Sequence, residues 1–288
     1  MFGMDPLLNM AALLFAGLLF SRLIKLLKLP NVTGFLVGGL IIGPSVLGLL
    51  STQGVESLGL ISSVALGFIA FSIGSEFKIS YFKRVGFLPI VIATFESLFA
   101  VVFVVAALAA AGQTLPFSLV LGAIAAATAP AATIMVIKQY RAKGPVTETL
   151  LSGVALDDAT ALIFFGIAVA IAQALESPQH ASLLFSVLSP VLQILAALGI
   201  GLALGAAHTL LIRFLPARHN RLVLTIAFVL TATAVAELLG LSALLTTMAM
   251  GAVFANFCKQ SAQVMELTDR FTNPIYMMFF VLSGAGLN

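Results

Sequence analysis

The chain has 288 residues, of which 61% are hydrophobic and only 9% charged, and its mean hydropathy is +1.16. Soluble domains carry roughly a quarter charged residues, so this balance excludes a soluble enzyme or binding module and indicates a polytopic membrane protein. The formal net charge of +3 does not point to nucleic acid, because the basic residues are confined to particular connections between apolar runs.

Ten such runs follow one another, at about 7–27, 31–50, 58–77, 86–111, 115–138, 149–174, 184–212, 222–240, 242–258 and 273–288. They are of the length that crosses a hydrocarbon core of about 30 Å at 1.5 Å per residue. Backbone polar groups in lipid must be satisfied within a span, which predicts helices throughout and an all-α fold. A membrane β-barrel would instead show strands of about ten residues alternating in polarity. The first run is not a cleavable signal: Asp5 precedes it, and Arg22, Lys25 and Lys28 follow it.

All fourteen Lys and Arg fall at or beside connections that follow odd-numbered runs. They form five clusters: Arg22, Lys25 and Lys28; Lys78, Lys83 and Arg84; Lys138, Arg141 and Lys143; Arg213, Arg218 and Arg221; Lys259 and Arg270. Asp5, Glu56 and Glu176 mark the opposite face. The positive-inside rule makes the basic face cytoplasmic and puts the N-terminus outside. Cys258 is the only cysteine, which excludes an internal disulfide or a cysteine cage. His180, His208 and His219 stand isolated and make no metal-ligand set.

The chain also repeats itself. "LKLPNVTGFLVGGLIIGP" in the second run parallels "LGLSALLTTMAMGAVFAN" in the ninth, with Gly39 opposite Gly251; "GFIAFSIGSEF" parallels "MMFFVLSGAGLN". Related runs lie seven apart, an odd number, so they cross in opposite directions: an inverted repeat, typical of secondary transporters with a midplane site. Runs one to six (7–174) make the first unit and run seven (184–212) a linker helix. Residues 222–288 are expected to hold the first three helices of an incomplete second unit, lacking partners for runs four to six. Gly34-x-x-x-Gly38, Gly39-x-x-x-Gly43 and Gly201-x-x-x-Gly205 predict close helix packing.

Few acids fall at membrane depth. Glu76 and Glu148 sit at helix ends beside basic residues, Glu237 lies near the end of the eighth run, and Glu266 and Asp269 are expected in a connection. Asp157 and Asp158 are nine and ten residues beyond Glu148, roughly 14 Å into the membrane. Each costs about 2.5–3.5 kcal/mol at a helix centre, so the pair calls for partners or a wet cavity. Adjacent helical residues point about 100° apart, which lets one carboxylate face an ion cavity while the other pairs elsewhere. In the fifth run, Pro130 removes a donor and biases Ala129 away from helix, predicting a break near Thr128. A broken helix at the midplane exposes carbonyls and half-helix dipoles to a cation. Glu96, in mid-run four, is a possible accessory acid.

Residues 126–160, "AATAPAATIMVIKQYRAKGPVTETLLSGVALDDAT", together with "FSIGSEF" at 71–77, resemble the membrane domain of the monovalent cation:proton antiporter-2 family, which includes sodium/proton exchangers and Kef-type potassium efflux systems. The resemblance implies two six-helix repeats flanking a linker, an outside N-terminus, a homodimer and a bacterial inner (plasma) membrane location. It implies that Asp158 is the carboxylate that alternately binds cation and proton, and that Asp157 is the position paired with a lysine on a later helix in electrogenic members. Thr128, Ala129 and Pro130 then correspond to the crossing of the broken helix.

The expected function is Na⁺ or K⁺ exchange against H⁺ by alternating access, in a lipid bilayer, without a cofactor. Two other readings stand beside it: a sodium-coupled organic-anion symporter of the bile-acid type, and a non-transporting membrane scaffold or ion sensor. No nucleophile, base or metal constellation suggests an enzyme.

Overall fold

A computed structural model describes residues 5–27, 29–75, 77, 79, 86–128, 142–176 and 183–287, except for the side chains of Asp158 and a number of other residues within 145–191. Among the described residues the protein is all helical, with eleven helices. In chain order they are α1 (Pro6–Leu26), α2 (Asn31–Ile42), α3 (Thr52–Ser57), α4 (Gly59–Ser75), α5 (Leu88–Ala110), α6 (Leu115–Ala125), α7 (Pro145–Glu176), α8 (Leu183–Ile212), α9 (Arg218–Leu238), α10 (Ala243–Phe257) and α11 (Ser261–Ala285). Ten answer to the ten predicted spans, and α3 is an additional short helix between the second and third. Among the described residues four stretches are long and apolar enough by themselves to cross a membrane: α1, α5, residues 192–212 of α8, and α9. The apolar helices α2, α4, α6 and α10 are shorter.

Two boundaries differ from the sequence reading. The run 31–50 is helical only to Ile42. Pro44 disfavours helix at the residue before it, and Gly43 is extended (φ −67°, ψ 176°). The last span starts earlier than predicted, because Glu266 and Asp269, expected in a connection, lie on the first turns of α11. That half of α11 is amphipathic: Val264, Thr268 and Thr272 are buried, while Glu266 and Arg270 are exposed and paired at 2.7 Å.

Helix ends follow from local chemistry. Asp5 caps α1 by accepting from the Leu7 N–H at 2.8 Å, ahead of Pro6 at the first helical position. Ser242 caps α10 in the same way through the Leu245 N–H. Past the end of α9, Gly240 takes φ +65° and the Leu241 N–H reaches back to the Ala236 carbonyl at 2.8 Å, a Schellman closure that a β-carbon would strain.

The chain divides into two compact units. The first comprises Met1–Ile69 and Gln263–Asn288. Here Leu13, Ile42, Leu50, Leu58, Met278, Val281 and Leu282 form the core. Glycines set the helix spacing: a Cβ on Gly34 would lie 2.7 Å from the Phe20 carbonyl of α1. Gly39 abuts the Val281 carbonyl of α11, and Gly284 in turn abuts the Leu36 carbonyl of α2.

The second unit comprises Ala70–Ala262. Within it α5, α6 and α7 pack together, α5 burying Pro89, Ala93 and Ser97, and α6 burying Ser118, Gly122 and Ala123. Elsewhere in this unit α10 is enclosed by α8, α9 and the end of α4. Gly201 of α8 abuts the Thr246 carbonyl, while Gly74 abuts the Met248 carbonyl and Gly251 the Phe71 carbonyl. Several buried threonine hydroxyls are satisfied within their own helices, as lipid favours. Thr225, Thr233, Thr246 and Thr247 each donate to the carbonyl four residues earlier.

Candidate functional site

The helix α7 is 32 residues long, about 48 Å at 1.5 Å per residue, and Asp157 and Asp158 stand near its midpoint. Its length follows from a sequence with no proline after Pro145, which opens the helix where a proline is tolerated. Asp157 is 8% exposed. Its Oδ2 accepts a hydrogen bond from the Thr128 hydroxyl at 2.8 Å. Its Oδ1 is buried and has no hydrogen-bond partner among the described residues. A buried carboxylate is ordinarily satisfied on both oxygens.

Thr128 reaches Asp157 because α6 has already ended. Its helix stops at Ala125, Ala126 is the cap residue, and Ala127 and Thr128 are not helical. The terminal carbonyls of a helix carry partial negative charge and attract cations. Ala129 and Pro130, the predicted crossing of the broken helix, lie outside the described residues. The Asp158 side chain lies outside them too, although its backbone belongs to the same turn of α7 as Asp157.

Glu96 is placed on the exposed side of α5. Its neighbour Ser97 is the residue that turns inward, 1% exposed, with its hydroxyl 3.0 Å from that of Thr160 on α7. Thr160 also donates to the Asp157 carbonyl at 3.0 Å. Ser97 and Thr160 did not emerge from the sequence reading, which weighed acids and prolines. The signal was present: in the span 88–110, Thr94, Glu96 and Ser97 are the only polar side chains.

Of the other singled-out residues, Cys258 is buried at the end of α10 as a free thiol and His219 is exposed. His208 is fully buried, stacked on Phe254 (centroids 4.4 Å, 12°) and Phe228 (5.0 Å, 24°). His180 lies outside the described residues.

An all-helical polytopic membrane protein with a half-satisfied carboxylate beside a helix end, deep in a long span, has the form of an ion-coupled secondary transporter. Residues 10–288 match the family "sodium/hydrogen exchanger, transmembrane". The chain belongs to that family, and so to the cation/proton antiporters rather than the enzymes. Among solved structures it is similar to the sodium proton antiporter MjNhaP1 from Methanocaldococcus jannaschii, with a TM-score of 0.72 and 19% identity over 97% of this chain and 69% of that one. At that identity the likeness is one of fold. No curated protein sequence matches the chain.

Proposed function

We propose that this protein exchanges Na⁺ or K⁺ for H⁺ by alternating access, with Asp158 the carboxylate at which cation and proton compete. Asp157 and Thr128 form the adjoining wall of the site. The observation that carries this reading is the Asp157 carboxylate, buried near the centre of α7 with one oxygen held by Thr128 and the other without a hydrogen-bond partner among the described residues. Two adjacent acids in a low-dielectric site do not both stay charged without compensation. A cation or a proton supplies that compensation, and loading either one is what would permit the site to cross the membrane.

The inverted repeat is part of the same proposal. An offset of 212 residues carries Gly39 to Gly251 and Leu36 to Met248, and one of 210 carries Phe71 to Val281 and Gly74 to Gly284. Under these offsets the Gly39–Val281 and Gly284–Leu36 contacts of the first unit map onto the Gly251–Phe71 and Gly74–Met248 contacts of the second. Four contacts obeying one rule support a repeat more strongly than similarity between apolar helices does. The proposed orientation, N-terminus outside and basic ends cytoplasmic, rests on the fourteen Lys and Arg.

The test is cation-driven proton flux in proteoliposomes. Asp158→Asn is expected to abolish exchange with both Na⁺ and K⁺ while the protein stays folded. Exchange at the unmodified rate in that variant removes Asp158 from the mechanism.

A further inference from the structure

We propose that Ser97 and Thr160 are positioning residues of the ion site: their hydrogen bond ties the turn of α7 that carries Asp157 and Asp158 to α5, so that α7 cannot roll about its axis. The inference rests on the reading of that pair as the site, and adds to it two residues that hold the helix rather than the ion.

Asp157 and Thr160 are three residues apart and therefore share a face of α7. The Thr160 hydroxyl proton is directed at the Asp157 carbonyl, 3.0 Å away. Ser97 is then the donor to Thr160 Oγ1, also at 3.0 Å, since one hydroxyl carries one proton. The result is a relay from α5 through Thr160 into the backbone of the residue whose carboxylate Thr128 holds. On the same stretches of the two helices the described buried residues include Ala93 on α5 and Ala161 on α7, both small and apolar. Contacts of that kind resist separation of the helices but are nearly indifferent to rotation. A hydrogen bond is directional, and weakens steeply once its angle is lost.

Rotation matters because carboxyl groups stand far from the axis. At some 5–6 Å from it, a group moves about 1 Å for each 10° of roll. That exceeds the tolerance of about 0.5 Å to which a binding constellation has to be held. A roll would carry Asp157 off Thr128 and turn Asp158 by the same angle.

Among the described residues, the charged and titratable groups on the elements packed against α7 are few. The helices α6 and α10 have none, α5 has Glu96 on its exposed side, and α8 has His208, four residues from its end. On α7 itself the other acids are Glu148 and Glu176. The relay governs the orientation of the pair.

The experiment uses the full chain. Thr160→Val keeps the shape and deletes the hydroxyl, Thr160→Ser keeps the hydroxyl and deletes the methyl, and Ser97→Ala deletes the other partner. Two readouts are followed: the Na⁺ dependence and pH profile of proton flux, and the rise in melting temperature on adding Na⁺ to purified protein, which needs no turnover. Thr160→Val and Ser97→Ala are each expected to raise the apparent KM for Na⁺ about fivefold, the usual weight of one neutral hydrogen bond. Both should move the midpoint of the pH profile while leaving the maximal rate within about twofold of the parent, this being a positioning effect rather than loss of a ligand. Thr160→Ser should behave like the parent, and the double variant should be no worse than either single one. Unchanged KM and pH profile, equal impairment by Thr160→Ser, or additive losses in the double variant would each overturn the relay. The Asp158→Asn control separates this outcome from failure of the site itself. If that variant loses Na⁺ stabilisation while Thr160→Val is normal, the site stands and the positioning role falls. If it keeps Na⁺ stabilisation, both fall.

Discussion

Replacing Gly251 by alanine tests whether the close crossing of α10 on the end of α4 is a constraint or a coincidence. A Cβ at Gly251 meets the Phe71 carbonyl oxygen, and it would lie 3.1 Å from both the Phe71 carbonyl carbon and the Ser75 nitrogen. The obstacle is backbone, which cannot swing aside as a side chain does. The helices would have to part by on the order of an ångström to restore the ordinary 3.3–3.6 Å carbon–oxygen separation. Parting them also loosens the reciprocal seat of Gly74 on the Met248 carbonyl. Overpacking of this sort costs about 1–3 kcal/mol, against which alanine's better helix propensity returns about 0.8–1 kcal/mol. The expected net is a loss of roughly 0–2 kcal/mol, which at about 2–4 °C per kcal/mol is a fall of up to several degrees in melting temperature. The matched control is Gly199→Ala in α8, where an added Cβ meets nothing within 4 Å and propensity alone predicts a gain. The assay is thermal unfolding of the purified protein in one detergent, the two variants side by side. If Gly251→Ala melts as high as Gly199→Ala, the argument from glycine–carbonyl contact is wrong, and with it the main structural support for the repeat.

Thr128→Val should raise the KM for the transported cation about tenfold, since it removes a hydrogen bond of the strength made to charged groups, ~1.5 kcal/mol; a Na⁺ titration of proton flux measures this, and an unchanged KM would detach Thr128 from the site. His208→Phe should lower the melting temperature by only a few degrees. The Thr225 hydroxyl is already donated to the Arg221 carbonyl, the ring stack on Phe228 and Phe254 is kept, and the unpartnered Nδ1 disappears. Unfolding of that variant would show that the imidazole does more than fill space. Glu266→Ala should change the melting temperature by no more than about 2 °C, because the Glu266–Arg270 pair is exposed and surface pairs are worth about 0–1 kcal/mol.

What could be read in the sequence was whatever lipid makes obligatory. A charge in a span is expensive wherever it stands, so the aspartate pair and the confinement of lysine and arginine to connections stood out without knowledge of any contact. Local turn chemistry also sets helix ends, Asp5 before Pro6 at the start of α1 and Pro44 after the end of α2, but the apolar runs that delimited the spans obscured it. The amphipathic start of α11 was hidden for the opposite reason: Glu266, Asp269 and Arg270 look like a connection until Val264, Thr268 and Thr272 are seen to share a buried face. The Ser97–Thr160 bond was beyond reach for a third reason. A hydroxyl in a span is cheap, because it can bond to its own helix, and many do so here without consequence. Only a tertiary contact, 63 residues apart in sequence, distinguishes the serine that reaches the next helix from those that do not. Residues proposed to hold an ion site are thus less conspicuous in a membrane protein's sequence than those proposed to bind the ion, because holding a site requires geometry and not a charge.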